Sequence, residues 1–489
     1  MSSSNSLSLS RALPPVAVAI GLALLPPPSG LAPNAWHFFA LFAGVVTALV
    51  LEPLDVAAIG VIAITLTALL APWTLFTAEE MAKPGFNAAS AAAKWAFTGF
   101  GDSTVWLVAG AFMFALAYKQ TGLGRRLALW LVRALGSNTI TLAYAVALAD
   151  IALAPFTPSN TARAAGTMYP IVSQIPPLYK SEPNSPTAGR IGSYILWVTY
   201  ASDCVVSALF MTACAPNFMA RDFIKKIADV DLTYPQWFFA AAPFAIPLLI
   251  AIPFLTYLVQ RPSVTKSPEV TVWANEELEK MGPLSRNEMI LAASVSFAII
   301  AWIFGGSLVN PAIVALAVIC VLMMTGALNW KDIAGNEPTW TTIVLLATLV
   351  AMADGLAHTG FVKWFADSIK GHLVGYTATQ VIFALVTIYF LSHYFFSSLT
   401  SHTAALMPII LSVGLAVPDM PKTTLAMSLA MTTGLMGIVS PYASGAALPY
   451  YRSGYFTSAQ YWRNAVLFGL IFLAALLLIG IPVFMARGG

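Results

Sequence analysis

The sequence predicts an all-α polytopic membrane fold with about eleven spanning helices and two re-entrant hairpins in two inverted repeats. Three observations carry that expectation. Of 489 residues, 58% are apolar and only 9% charged, with mean hydropathy +0.79; soluble domains carry about 25% charged residues. Apolar runs long enough to cross a bilayer recur along the chain, among them 34–51, 103–118, 236–260 and 464–486. The same series of features also occurs twice, so that Thr121-Gly122 matches Thr359-Gly360 and Thr161 matches Thr403.

Taken in order, the apolar stretch after Arg11, "ALPPVAVAIGLALLPPPSG", is Pro-rich and lacks a clear small-x-small cleavage site, and so reads as a retained first span. The longest polar stretch, 261–288, reads as a cytoplasmic linker between an N-terminal part, 1–260, and a C-terminal part, 289–489. In the first part a span and an amphipathic segment, "STVWLVAGAFMFALAYKQTGLGRRLAL", precede an apolar run ending in "TPSNTARAAG". In the second, "TTIVLLATLVAMADGLAHTGFVKWF" precedes a run ending in "LTSHTAALMP". Repetition with such small drift in spacing is the mark of an internal repeat.

Lys119, Arg125, Arg126 and Arg133 follow the fourth span with no acid nearby, which places that segment, the linker and the N-terminus in the cytoplasm. Five spans per repeat then invert the two repeats, the layout of secondary transporters.

Two tips and two breaks are the candidate site. The tips lie at 157–163 and 397–404. Lipid cannot satisfy a broken backbone, so a tip at mid-membrane must face protein, ligand or cavity. Freed amides and half-helix N-termini hold anions, and Ser159-Asn160-Thr161 and Ser401-His402-Thr403 add neutral donors. The pair reads as two carboxylate clamps. Ser and Thr in membrane helices otherwise bond to the preceding turn, but two copies at matching places favour the clamps. Each hairpin is followed by a span that breaks, 203–220 at Pro216-Asn217 and 430–450 at Ser440-Pro441 and Gly445.

These residues resemble the divalent anion:sodium symporter family, most closely its bacterial citrate/succinate, tartrate and 2-oxoglutarate/malate exchanger branch. The likeness runs through "AWHFFALFAGVV" and "LEPL" in 35–54, "LAPFTPSNTARAAG", "FSSLTSHTAALMP" and "SPYASG". It implies an elevator-type carrier of di- and tricarboxylates, a homodimer in a bacterial inner membrane, and no cofactor. It makes Ser159, Asn160, Thr161, Ser401, His402 and Thr403 substrate contacts, with the breaks at Thr212, Pro216, Asn217, Ser440 and Pro441 completing the site. His402 stands where the family pattern has asparagine, and Arg163 follows the first tip. Fixed positive charge on Arg163 and a protonated His402 would replace sodium in balancing a dianion and would favour obligate exchange. The alternatives are a sodium-coupled symporter, with sodium near Ser159 and Asn160, and proton coupling through His402. Arg163 could instead bridge Asp150 or Asp203, His402 could be neutral, and His393 reads as packing or a local hydrogen bond.

The rest of the composition narrows the class. Cys204, Cys214 and Cys320 form neither a disulfide framework nor a metal spacing. A net charge of +3 without a basic cluster suggests no nucleic-acid partner. No H-E-x-x-H, G-x-S-x-G or P-loop pattern points to an enzyme.

Overall fold

The computed structural model describes residues 9–305, 308–370 and 375–487. Among them every regular element is helical, and an isolated antiparallel bridge joins Asn138 to Lys266.

The first half comprises α1 (Leu9–Leu24), α2 (Pro33–Leu51), α3 (Val56–Leu69), α4 (Ala88–Thr98), α5 (Ser103–Thr121), α6 (Leu123–Leu135), α7 (Thr139–Leu153), α8 (Gly192–Leu209), α9 (Ala215–Phe223) and α10 (Tyr234–Val259). The linker holds α11 (Pro268–Met281). The second half comprises α12 (Arg286–Phe304), α13 (Pro311–Met324), α14 (Glu337–His358), α15 (Phe361–Lys370), α16 (Ala378–Ser392), α17 (Leu399–Leu415), α18 (Lys422–Leu435) and α19 (Ser458–Ala475). Past α1, both halves show one order, apart from the extra α4 that precedes α5 in the first: two helices, a long helix, an amphipathic helix (α6, α15), a hairpin, a broken helix and a final span.

Seven helices among the described residues are long and apolar enough to cross a bilayer, and an eighth is reached if the pair 88–101 and 103–121, bent by 42°, is one span. Two of the seven, 139–156 and 378–395, are leading limbs of the hairpins. The expected total of about eleven is met only by adding the short apolar helices α1, α3 and α13 and the two broken pairs. A 14-residue helix such as α3 or α13 rises only about 21 Å, less than a bilayer core.

The polar stretch 261–288 is a built element rather than a loose connection. Ser267 Oγ donates to Gly136 O (2.6 Å) and Thr139 Oγ1 to Val264 O (2.6 Å), which ties it to the α6–α7 turn. Arg126 donates to Glu288 Oε1 at 2.6 Å and to the carbonyl of Gly282 at 2.8 Å, with both side chains buried. Arg125 meets Glu277 at 2.5 Å in solvent. The linker-facing ends of α5 and α12 thus lie together, and by alternation the C-terminus of α2 and the N-terminus of α14 lie on that side too.

The broken pairs cross at the centre. Gly434 on α18 lets the backbones touch, because a methyl there would overlap the amide of Ala208 on α8. Tyr200 OH donates across this crossing to Gly437 O, Tyr450 OH to Ala164 O (2.9 Å), and a His393 ring nitrogen meets Ala443 O (2.8 Å). Hairpins and breaks are thereby sewn into one body.

Arg126→Ala should lower stability by about 3–5 kcal/mol, since it strands a buried carboxylate. Arg125→Ala should cost less than about 1 kcal/mol, as exposed pairs do. Thermal melts of the purified protein in detergent check the contrast, and equal shifts would contradict it.

Candidate functional site

Hairpin 1 owes its tip to two prolines. The α7 limb ends in a 3₁₀ turn, Ala154–Phe156, and the chain stays non-helical to Asn160 because Pro155 and Pro158 supply no donor. It returns as a π-helix, Thr161–Met168. Asn160 Oδ1 accepts from Thr161 N (2.9 Å) and Ser159 Oγ from Ala162 N (3.1 Å), so both side chains cap the returning limb. The Thr161 side chain is left exposed to the cavity described below.

Hairpin 2 is built differently. After the 3₁₀ turn His393–Phe395, Ser398 caps α17, its Oγ accepting from Ser401 N at 3.3 Å. The helix therefore starts at Leu399, and Ser401, His402 and Thr403 fall inside its first turns, all buried. Ser401 Oγ donates to Leu49 O at 3.0 Å, and Thr403 Oγ1 accepts from Tyr389 OH at 3.2 Å. His402 sits against the rings of Tyr389, His393 and Phe396, with its nitrogens 3.0 Å from Ser392 Oγ and 3.1 Å from Met436 Sδ.

One cavity of about 290 Å³ brings both tips and both breaks together. Hairpin 1 lines it with Pro158, Ser159, Asn160 and Thr161, and hairpin 2 with Ser397, Ser398, Leu399 and Thr400. The breaks add Ala215 and Pro216 from one repeat and Ser444 and Gly445 from the other. Phe112 of α5 and Pro338, Thr341 and Thr342 of α14 close it. Gly445 is required by close approach, since a methyl there would lie 2.8 Å from Thr161 Oγ1. Among the described residues no charged side chain lines the cavity, and half of the lining residues carry hydroxyls. The first two amides of α17, on Leu399 and Thr400, have no acceptor within the helix, as at any helix start, and they belong to lining residues. The cavity can therefore hold an anion by neutral donors and a helix N-terminus.

Several expected contacts fall elsewhere. Ser401, His402 and Thr403 do not line the cavity; Ser397 to Thr400 take that place, because the Ser398 cap starts the helix earlier than the prolines of hairpin 1 allow. Asn217 ties the first break, its amide donating to Ser207 O (2.7 Å) and Phe210 O (3.2 Å). Thr212 lines a different cavity, of about 570 Å³, on the face away from the linker. Ser440 and Pro441 are buried and do not line the cavity. The sequence signal for hairpin 2 was Ser397-Ser398 just before Leu399, an N-cap pattern that places Ser401 at the third helical position.

The expected pair of free charges is absent from this geometry. Arg163 is fully buried, donating to Asp150 Oδ1 (2.9 Å), Asp203 Oδ1 (2.7 Å) and Ser207 Oγ (2.9 Å). Its Nη1 also donates to the carbonyls of Thr157 (3.1 Å) and Ala213 (2.7 Å), one at the tip and one at the break. Its charge is fully engaged by the Asp150 and Asp203 carboxyls, so it is a bridge behind the tip and not a counter-ion facing the cavity. His402 has no acidic partner among the described residues, and its aromatic surroundings suit a neutral ring.

Among the described residues no group of three His, Cys, Asp or Glu side chains could hold a metal ion. Between the first tip and the first break, the carbonyls of Thr157 and Ala213 both accept from Arg163 Nη1.

Comparison with known proteins agrees with this layout. The family model described as the sodium:sulfate symporter transmembrane region matches residues 6–485. The chain is 42% identical over 473 residues to a citrate/succinate antiporter of Escherichia coli (strain K12), covering 97% of each protein. It is 41% identical over 471 residues to an L-tartrate/succinate antiporter of the same strain, covering 96% of this chain and 97% of that one. Among solved structures, the YdaH transporter of Alcanivorax borkumensis aligns with a TM-score of 0.58 over 94% of this chain and 99% of that one. At 14% identity it speaks to the fold alone.

Arg163→Ala should destabilise the protein by about 3–5 kcal/mol, because it strands two buried carboxylates. Arg163→Lys should fail to rescue it, since an ammonium cannot reproduce the five-donor fork. Melting temperatures of the three proteins in detergent check this; a fully stable lysine variant would show that the fork is dispensable.

Proposed function

We propose a cargo and a mode of carriage from a firm premise: this chain belongs to the sodium:sulfate symporter transmembrane family. It is read here as a carrier that exchanges one organic di- or tricarboxylate for another, of the succinate, malate, fumarate, 2-oxoglutarate and citrate class, without sodium. The observation that carries the proposal is the charge-free, hydroxyl-lined cavity in which both hairpin tips and both breaks meet. A carboxylate at each end of a substrate would accept from Ser159 and Thr161 on one side and from Ser398, Thr400 and the α17 amides on the other.

The same observation supports exchange. A neutral site carrying a dianion moves two negative charges across the membrane. Against a potential, that step is worth about 2.3 kcal/mol per charge per 100 mV. A symporter offsets this with cations that leave with the substrate, but the cation behind the first tip is the Arg163 guanidinium, which stays. Returning with a second dianion cancels the charge movement over a full cycle. The relatives at 41–42% identity are antiporters.

Tips and breaks, cross-tied through Tyr200, Tyr450 and His393, would move as one body against α2, α5 and α14. This is elevator motion. Among the described residues, the side-chain polar contacts between that body and α2, α5 and α14 are Ser401 to Leu49 O, Thr104 to Asp222, and Lys226 to Val350 O. The family resemblance supports a homodimer in a bacterial inner membrane, and the basic α5–α6 segment supports a cytoplasmic N-terminus and linker.

The test is labelled-succinate uptake into proteoliposomes, with internal dicarboxylate present or absent and external sodium present or replaced by choline. Exchange requires uptake that needs internal dicarboxylate and ignores sodium. Sodium-dependent uptake into empty vesicles would overturn it. Within the clamp, Thr161→Ala and Thr400→Ala should each raise the half-saturating substrate concentration about fivefold, the worth of one hydrogen bond. Thr403→Ala, which loses only its bond to Tyr389, should leave that concentration unchanged.

A further inference from the structure

A second cavity, of about 410 Å³, lies on the linker face of hairpin 1. The tip separates it from the clamp: Thr157 and Ala162 line this cavity, whereas the adjoining Pro158 and Thr161 line the other. On α5 the two share one helix face, Phe112 in the clamp and Ala115 in the second cavity, three residues on. A ligand leaving the clamp toward the linker would therefore arrive here.

The charges are one-sided. Lys119 and Arg125 are the charged residues lining this cavity, and no acid lines it among the described residues. Arg125 is held by Glu277 at 2.5 Å. A hydrogen bond from Lys280, together with the nearby Arg125, keeps the Glu277 carboxyl below the usual range, so at neutral pH its charge is shared between Arg125 and Lys280 and Arg125 is held toward the linker. Lys119 is exposed and has no ion-pair partner among the described residues. The cavity on the opposite face differs: Arg221, Lys225 and Lys226 are balanced there by Asp102, Asp222 and Asp231, with Arg221 and Lys225 both bonded to Asp231.

We propose that the linker-side cavity is an entry subsite, in which Lys119 receives one carboxylate of the organic dianion before the tip of hairpin 1 admits it to the clamp. This rests on the carboxylate-exchange reading above. The clamp has no charge of its own to draw a dianion out of water, and Lys119 supplies that attraction on one face only. The two faces of the carrier consequently differ in apparent affinity.

The experiment is succinate exchange in membrane vesicles of the two orientations, with wild type, Lys119→Arg, Lys119→Gln and Lys119→Glu. A unit charge about 8 Å from a dianion in water-like surroundings changes its local concentration roughly fourfold at 10 mM salt and about twofold at 150 mM. On the linker face the half-saturating concentration should rise in the order wild type and Arg, then Gln, then Glu, by about that factor per unit of charge, and less at high salt. On the opposite face it should not change. Equal changes on both faces, or none on the linker face, would overturn the entry subsite while leaving exchange standing. No exchange by the wild type would instead remove the transport reading and the subsite with it. Matching melting temperatures for the four proteins separate this charge effect from the small stabilisation a lysine gives to a helix C-terminus.

Discussion

The structure depends most on the guanidinium of Arg163. A re-entrant hairpin that stops in mid-membrane leaves carbonyls at its tip, and a broken span opposite leaves more. Arg163 collects one from each, Thr157 O and Ala213 O, with the same nitrogen, and uses its other donors on Asp150, Asp203 and Ser207. Five donors in a rigid fork suit this task, because the groups to be joined come from three segments of the chain. The net worth of a buried ion pair is small, and what it secures is geometry: the tip, the break and α8 have one arrangement that satisfies all of them.

With the fixed charges sequestered behind the tip, the cavity wall is left neutral. That has an energetic logic for a body that must cross a bilayer both loaded and reloaded. An exposed fixed cation would bind a dianion tightly and also hold it, whereas hydroxyls and helix-start amides exchange readily with water. On the clamp reading proposed above, selectivity for anions would come from donor geometry, and attraction over distance would be left to residues outside it.

Much of this was legible in the sequence, and the failures have a common cause. The helical membrane fold followed from apolar run length, and the break in hairpin 1 from Pro155 and Pro158. The Arg163–Asp150–Asp203 bridge was one of two readings, since a sequence shows that three charges are buried but not that they meet. In hairpin 2 the helix starts about one turn earlier relative to Ser401-His402-Thr403 than the match to hairpin 1 implies. Matching Ser401-His402-Thr403 to Ser159-Asn160-Thr161 assumes that equal residues sit at equal heights, yet helix start is set locally. Pro158 delays it in one repeat and the Ser398 cap advances it in the other. The bases of the second cavity were visible as Lys119 and Arg125, but only the fold shows which of them Glu277 neutralises.

The two repeats meet one demand by different chemistry. Behind each tip, polar backbone must be joined to the neighbouring break without water. Repeat 1 does this with an ion-paired arginine. Repeat 2 uses imidazoles: His393 bonds to Ala443 O at the second break, and His402 fills the space between Ser392, Met436 and three rings. An imidazole offers two ring nitrogens for hydrogen bonds and stacks on aromatic faces. Sequestering charge on one side and avoiding it on the other gives the same result at the cavity wall, which is why a pattern so asymmetric in its residues can present two comparable halves to a substrate with a carboxylate at each end.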